Sequence, residues 1–350
     1  MAEIEAAAGA GRERILIIKP SSLGDVVHAL PVLAALRAAH PQACIAWLIG
    51  ASLAPLLEGH PQLDEVIPFD RRHFGHMWRS PRALLDFARF VWHLRRRRFD
   101  LVLDLQGLFR SGLLAWASGA RRRVGFAQAR ELARVFYSQR VSCPPQTAHA
   151  VDRNVCLARA VGLTVDVPRF PLALRTEELD AARKRTPDTF FALLPGARWP
   201  SKLWRADRLA ELIDRLAAEG APPCVLLGGP DDRPFADEVL HACRAPVVDL
   251  VGRTSLRELA ATLALAKLVI CHDSGPMHIA AALERPIVAI FGPTSPARTG
   301  PYCGSAGVVS LPLDCAPCYR RTCPLGHHDC MEQLGVETVL AKVREVWRRD

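Results

Sequence analysis

Long apolar runs are missing. No stretch of about 18 apolar residues is free of charge, so no transmembrane helix is expected in this 350-residue chain. The opening MAEIEAAAGAGRER lacks the basic-then-apolar order of a secretion signal and reads as a frayed leader over 1–13, which points to a cytosolic protein. The dinucleotide fingerprint GxGxxG follows none of the strand-like runs, and the phosphate loop GxxxxGK with Ser or Thr behind it is also missing. The Gly-Ala-Gly at 9–11 follows no strand, and a nicotinamide oxidoreductase is thereby disfavoured. Helix-turn-helix, zinc-finger and RNA-binding signatures are lacking too, which argues against nucleic acid as a partner.

What is present is a chain long enough for two domains of ordinary size, 50% hydrophobic and 23% charged, as in globular proteins. The net charge of +9 is unevenly placed. Through residue 170 there are 23 Lys and Arg against 14 Asp and Glu, and from 171 onward 22 of each. All the excess lies in the first half, which suggests that this half meets an anionic partner. The Arg run in HLRRRRF reads either as part of that surface or as a solvated helix face.

Seven of the 11 cysteines are scattered singly through apolar segments, as at Cys44, Cys224 and Cys271, and read as small buried hydrophobes in a reducing compartment. Cys315, Cys318, Cys323 and Cys330 lie together in CAPCYRRTCPLGHHDC. Their spacing opens with CxxC but has no second CxxC, so it matches a structural zinc site only in part, and a compact Cys-rich loop is the alternative.

Short apolar runs alternate with helical patterns. RILIIK (14–19), ACIAWLIG (43–50) and FDLVLDLQG (99–107) read as strands, with a helix over 26–39 between the first two. Three prolines and a charged helix interrupt the rhythm over 164–188. It then resumes with strands at 190–196, 223–229, 246–252, 267–275 and 286–294, and helices at 205–219, 233–243, 255–266 and 276–284. Continuous apolar strands imply parallel sheets covered on both faces. The expected domains are 14–175 and 176–334, followed by a C-terminal helical segment, 335–350, packing back across the boundary.

In such sheets ligands bind beyond the carboxyl ends of the strands, where Asp25, Gln106, Pro195, Gly228 and Asp273 all fall. In KPSSLGDVVHALP, Asp25 is either an ordinary helix-start acid or a base in a cleft. CHDSGPMHIAAA runs a strand into Asp273, Ser274, Gly275 and Pro276 and then a small-residue helix, whose free N–H groups suit phosphate. Lys202 follows a strand and reads either as a solvated surface lysine or as an ammonium placed to neutralise a diphosphate. Asp231 and Asp232 in GGPDDR suit ribose hydroxyls or a polar turn, and Thr254 is an N-cap or a hydroxyl facing the ligand. His28, one helical turn after Asp25, reads better as a packing residue than as an acceptor contact.

KPSSLGDVVHALP, DLVLDLQGLFRSG, ARELARVFY, HAVDRN, PGARWPSKLW and HDSGPMHIAAALERPIVAIFGPTSP, in this order, resemble the lipopolysaccharide heptosyltransferases. These are inverting glycosyltransferases of the GT-B architecture, two Rossmann-like doubly wound α/β domains facing across a cleft. The first-half motifs are most similar to heptosyltransferase I, which adds the first heptose to the Kdo of Kdo2-lipid A, and the Cys-rich loop is more similar to the heptosyltransferase II branch. The resemblance implies an ADP-heptose donor, with Asp25 as catalytic base beside Gly24. Lys202 would stand at the donor phosphates, and Asp273, Ser274, Gly275, Pro276 and His278 would hold the diphosphate. Asp232 stands where the family has a glutamate near the ribose, and Ala197 and Arg198 replace hydroxyl residues. Arg71, Arg72 and Arg110 are candidates for gripping an anionic Kdo-lipid A acceptor. No cofactor is expected; a monomer, peripheral on the cytoplasmic face of the inner membrane, is.

Overall fold

The computed structural model describes residues 12–75 and 79–348. The chain divides between Ala173 and Leu174 into two compact units.

The first unit holds β1 (Arg14–Ile18), β2 (Cys44–Gly50), β3 (Glu65–Phe69), β4 (Leu101–Asp104), β5 (Arg122–Phe126) and β6 (Gln139–Val141). They form one parallel sheet in the order β3-β2-β1-β4-β5-β6. This is the doubly wound order, with its switch point between β1 and β4. The helices are α1 (Leu23–Val27), α2 (Leu30–Ala39), α3 (Arg71–Gly75), α4 (Pro81–Arg96), α5 (Phe109–Ala117) and α6 (Ala150–Ala160). Only β1, β2 and β4 carry an apolar run strong enough to read from sequence. β3 contains Pro68, tolerated because the strand lies at the sheet edge, and β5 begins with two arginines. The helix expected over 26–39 is broken into α1 and α2, because Pro31 has no N–H to donate and its ring would clash with a carbonyl one turn back.

The second unit repeats the plan. Its strands are β7 (Phe191–Leu194), β8 (Cys224–Leu226), β9 (Val247–Asp249), β10 (Leu268–His272), β11 (Ile287–Ile290) and β12 (Ala306–Val309), ordered β12-β11-β10-β7-β8-β9 with the switch point between β7 and β10. β12 was not foreseen. The helices are α7 (Thr176–Arg183), α8 (Ala206–Ala218), α9 (Arg233–Ala242), α10 (Leu256–Leu265), α11 (Gly275–Ala282), α12 (Pro296–Thr299), α13 (Asp329–Glu332) and α14 (Val336–Trp347). The sequence suggested that the last of these reaches back over the boundary. Its apolar face, Val336, Val339, Leu340, Val343 and Val346, is buried in the second unit's core with Phe191, Ile270 and Ile290. Each such side chain contributes about 2 kcal/mol by leaving water.

Of the expected leader, residues 1–11 lie outside the described residues, but Arg12 and Glu13 are tied down. Arg12 pairs with Asp64 at 2.7 Å and Glu13 with His40 at 2.8 Å. The cysteine expectation also needs a correction: Cys143 and Cys156, read as lone apolar residues, are joined as a disulfide across a Cα separation of 6.0 Å. Their thiols are brought together only when α6 folds back beside β6. Cys224 and Cys271 are buried free thiols, as expected.

Candidate functional site

In the first unit the chemistry gathers at the carboxyl ends of β1 and β4. Ser22 precedes α1, and Asp25 in its first turn closes back on it. Asp25 Oδ2 accepts from Ser22 N at 2.8 Å and from Ser22 Oγ at 2.7 Å. That is the capping use of an acid at a helix start. Asp25 Oδ1 lies 3.8 Å from Lys19 Nζ, on a side chain that is 41% exposed. The carboxylate is thus anchored at Oδ2 and half-exposed to solvent. Gly24 is buried in the same turn.

Lys19 is a functional candidate the sequence reading missed. It ends the strand RILIIK, is almost completely buried, and donates from Nζ to Leu105 O at 2.8 Å. Burial pushes its ammonium below its ordinary range, against the pull of Asp25 and Asp104. Asp104 is fully buried at the end of β4 and accepts from Tyr137 Oη at 2.7 Å, Ser111 Oγ at 2.8 Å, and the N–H groups of Gln106 and Gly107 at 2.9 and 3.1 Å. Burial still raises its carboxyl above the usual range. The one readable signal for both was a charged residue closing an apolar run.

The second unit places Lys202 and Asp273 together at the β7/β10 switch point. Lys202 closes a short 3-10 turn, Pro200–Lys202. Its Nζ is 2.6 Å from Asp273 Oδ2, donates to Asp273 O at 3.3 Å, and stands 4.8 Å from the Trp199 ring. Asp273 is buried, and Thr294 Oγ1 donates to the same Oδ2 at 2.6 Å. The buried Asp273 carboxylate thus holds the Lys202 ammonium in place. Thr294 and Trp199 were missed: both lie inside quoted motifs, but neither residue type signals by itself a contact with Lys202 or Asp273.

Behind Asp273, Ser274 is the N-cap residue of α11, yet its Oγ makes no hydrogen bond within the protein and is buried. Gly275 and Pro276 form the first turn and His278 is buried in the helix. Thr254 Oγ1 is likewise buried and unbonded. It does not cap α10; Ser255 does, accepting from Glu258 N at 3.3 Å. Asp232 Oδ2 accepts from Gly229 N at 2.8 Å, and burial raises its carboxyl above the usual range. Its side chain crosses so close to Gly196 that a Cβ there would fall 2.0 Å from Asp232 Oδ1, which explains the glycine after Pro195. Arg198 is exposed.

Arg71 and Arg72 are exposed on α3, and Arg110 is exposed in the first turn of α5. Asp70 Oδ1 caps α3, accepting from His73 N and Arg72 N at 3.0 and 2.9 Å, and the His73 N–H above all holds its carboxyl below the usual range. His28 is buried edge-on against His149 at 5.3 Å, the packing role expected for it. Around Cys323 the backbone N–H groups that follow, that of His328 first, hold the thiol below its ordinary range. Among the described residues no set of three or more His, Cys, Asp or Glu is arranged to hold a metal ion, the four clustered cysteines included.

Residues 87–328 match the family model described as glycosyltransferase family 9 (heptosyltransferase). The chain belongs to glycosyltransferase family 9. It is 33% identical over 315 residues to lipopolysaccharide heptosyltransferase 1 of Pseudomonas aeruginosa, covering 89% of this chain and 87% of the relative. Lipopolysaccharide heptosyltransferase 2 of Salmonella typhimurium is 29% identical, over 95% of this chain and 98% of its own. The family 9 glycosyltransferase of Veillonella parvula superposes with a TM-score of 0.84 at 25% identity, covering 98% and 100% of the two chains. The E. coli heptosyltransferase WaaC with ADP-2-deoxy-2-fluoro heptose gives 0.76 at 27% identity, covering 95% and 99%. These relatives bear out the resemblance seen in the motifs, closer to heptosyltransferase 1, and make this family 9 chain a glycosyltransferase of GT-B fold.

Proposed function

We propose that the protein transfers L-glycero-D-manno-heptose from ADP-heptose to the Kdo of Kdo2-lipid A, inverting the anomeric carbon. The observation that carries the donor half is the Lys202 ammonium fixed 2.6 Å from Asp273 beside the start of α11, with the buried Ser274 hydroxyl unbonded next to it. A fixed, largely buried cation and a row of free helix N–H groups suit a departing diphosphate. The unbonded Thr254 hydroxyl and Asp232 suit the nucleoside end. The relative crystallised with an ADP-heptose analogue supports this donor.

Asp25 Oδ1 takes the proton of the acceptor hydroxyl. The acceptor oxygen bonds to C1 of the heptose from the face opposite the phosphate, the C1–O bond to ADP breaks, and its electron pair leaves on the β-phosphate. Lys202 and the α11 N–H groups meet that charge as it grows, the step where preorganised electrostatics lowers the barrier most. Lys19 lies beside Asp25 and favours its ionised form before the reaction. Arg71, Arg72 and Arg110 supply positive charge for an acidic acceptor, and the protein works as a monomer at the inner membrane's cytoplasmic face. Among the described residues no helix is long and apolar enough to cross a membrane.

A second acceptor, the already heptosylated core, is favoured by the full-length likeness to heptosyltransferase 2. Incubation of the purified protein with ADP-heptose and either Kdo2-lipid A or its singly heptosylated form, read by mass spectrometry, separates the two. Heptose added to Kdo2-lipid A alone is the expected result. Addition only to the heptosylated acceptor reassigns the step, and addition to neither rejects the proposal.

A further inference from the structure

The helix α4 carries apolar side chains on both of its faces. Ala83 and Leu94 are buried inward, with Phe87 and Phe90 packed against the first unit's core. On the opposite face Leu84, Leu85 and Trp92 are 51%, 58% and 52% exposed, and Ala88 between them is exposed as well. Positions 85, 88 and 92 recur at helical spacing, so they form one outward stripe. Trp116, 55% exposed, stands on α5, which packs against α4.

Arginines edge this stripe. The Arg96 guanidinium lies over the Trp92 ring at 4.5 Å, and Arg95, Arg98 and Arg121 line the same open groove as Trp92. All four are exposed, and none forms an ion pair with a described carboxylate. The helix's own acid, Asp86, is engaged by His73 at 3.1 Å and Arg89 at 3.4 Å, and Arg97 is neutralised by Glu65. The outcome is a convex apolar ridge with unneutralised positive charge beside it.

We propose that the outward face of α4, with Arg95, Arg96, Arg98 and Arg121, docks on an anionic lipid bilayer. Guanidinium groups bind headgroup phosphates, while Leu84, Leu85 and Trp92 enter the boundary between headgroups and acyl chains, the division of labour of an interfacial amphipathic helix. Trp beside Arg suits that depth, with an apolar ring and a charged tip at the water line. A nucleic acid would use the arginines but leave the two leucines in water. The inference rests on the proposed work at the membrane face and names the surface that meets the lipid; vesicles without donor or acceptor keep its failure distinct from a failure of the transferase reading.

The test floats the full-length protein with vesicles of phosphatidylcholine alone or of an equal mixture with phosphatidylglycerol, neither containing donor or acceptor. Binding to the mixed vesicles, weakened by salt, is expected. The pair Arg96→Ser and Arg121→Ser should weaken it at least about tenfold, as lost headgroup attraction requires. The pair Leu85→Ser and Trp92→Ser should also weaken it at least about tenfold, including what survives at high salt. Circular dichroism and turnover with free substrates check that both variants fold. Equal binding of all three proteins, or none by any, overturns the proposal. Self-association abolished by the Leu85 and Trp92 changes, without vesicle binding, reassigns the ridge to a contact between copies.

Discussion

Lys202 Nζ lies 2.6 Å from Asp273 Oδ2, and that same oxygen accepts from Thr294 Oγ1 at 2.6 Å. One buried carboxylate thus fixes the only direction in which the ammonium can present its remaining protons. Removing the ammonium by Lys202→Ala is expected to lower kcat about 100- to 1000-fold, the cost of losing a preorganised charge at a developing anion. ADP affinity, followed by calorimetry, should fall with it. A variant with unchanged kcat would show that the charge does not meet the leaving group.

In the proposed reaction Asp25 has two purposes, capping Ser22 and removing the acceptor proton, and two substitutions separate them. Asp25→Asn keeps an acceptor for Ser22 and should retain stability while losing about 100- to 10,000-fold in kcat. Asp25→Ala should lose as much activity and also about 1 kcal/mol of stability, with the cap. ADP binding should survive in both. Turnover near the wild-type rate in the Asn variant rules out the proposed base.

In the proposed reaction Lys19 acts through Asp25 rather than on substrate. Replacing it by Met removes a buried cation 3.8 Å from the carboxylate, and with it the attraction between the two charges. The acid limb of the kcat/KM profile should move upward, and Lys19→Arg should restore part of it. A merely structural lysine would lower the whole profile without moving its limb.

His272 ties stability to pH. It is fully buried, its Nε2 accepts from Trp204 N at 3.0 Å, and burial lowers its pKa from 6.5 to about 4. Between those values the unfolded chain binds a proton that the folded chain refuses. Stability from this group is therefore full above about pH 6.5 and is lost as pH falls toward about 4, by roughly 3 kcal/mol. Urea midpoints across that window should fall less steeply in His272→Asn than in the wild type. Parallel slopes would show that the imidazole is not held neutral.

The resemblance in the motifs reached further into the site than composition did. Asp25, Lys202, Asp273 and Ser274 were readable because each sits at a strand end or helix start, where local rules already demand a polar residue. Those rules left two uses open for Asp25, and the structure shows the capping one, with Oδ2 accepting from Ser22. Lys19 read as the polar end of a strand, and Thr294 and Tyr137 lay in recognisable motifs without anything local to name their partners. They matter through contacts made far along the chain: Thr294 lies 21 residues from Asp273, and Tyr137 lies 33 from Asp104. β3 and β6 were unreadable for a related reason: an edge strand is specified by its neighbour's free hydrogen bonds more than by its own apolar run. β5 lies inside the sheet but opens with two arginines, so it has no continuous apolar run to read.

By itself the sequence determined the two doubly wound sheets, since continuous apolar strands alternating with amphipathic helices bury their surface in few other ways. It also determined the residue types at the strand ends. Tertiary structure alone decided which charge meets which. A side chain's partner, burial and proton affinity depend on atoms brought near by strand order, and the chain does not carry that distance in any local stretch.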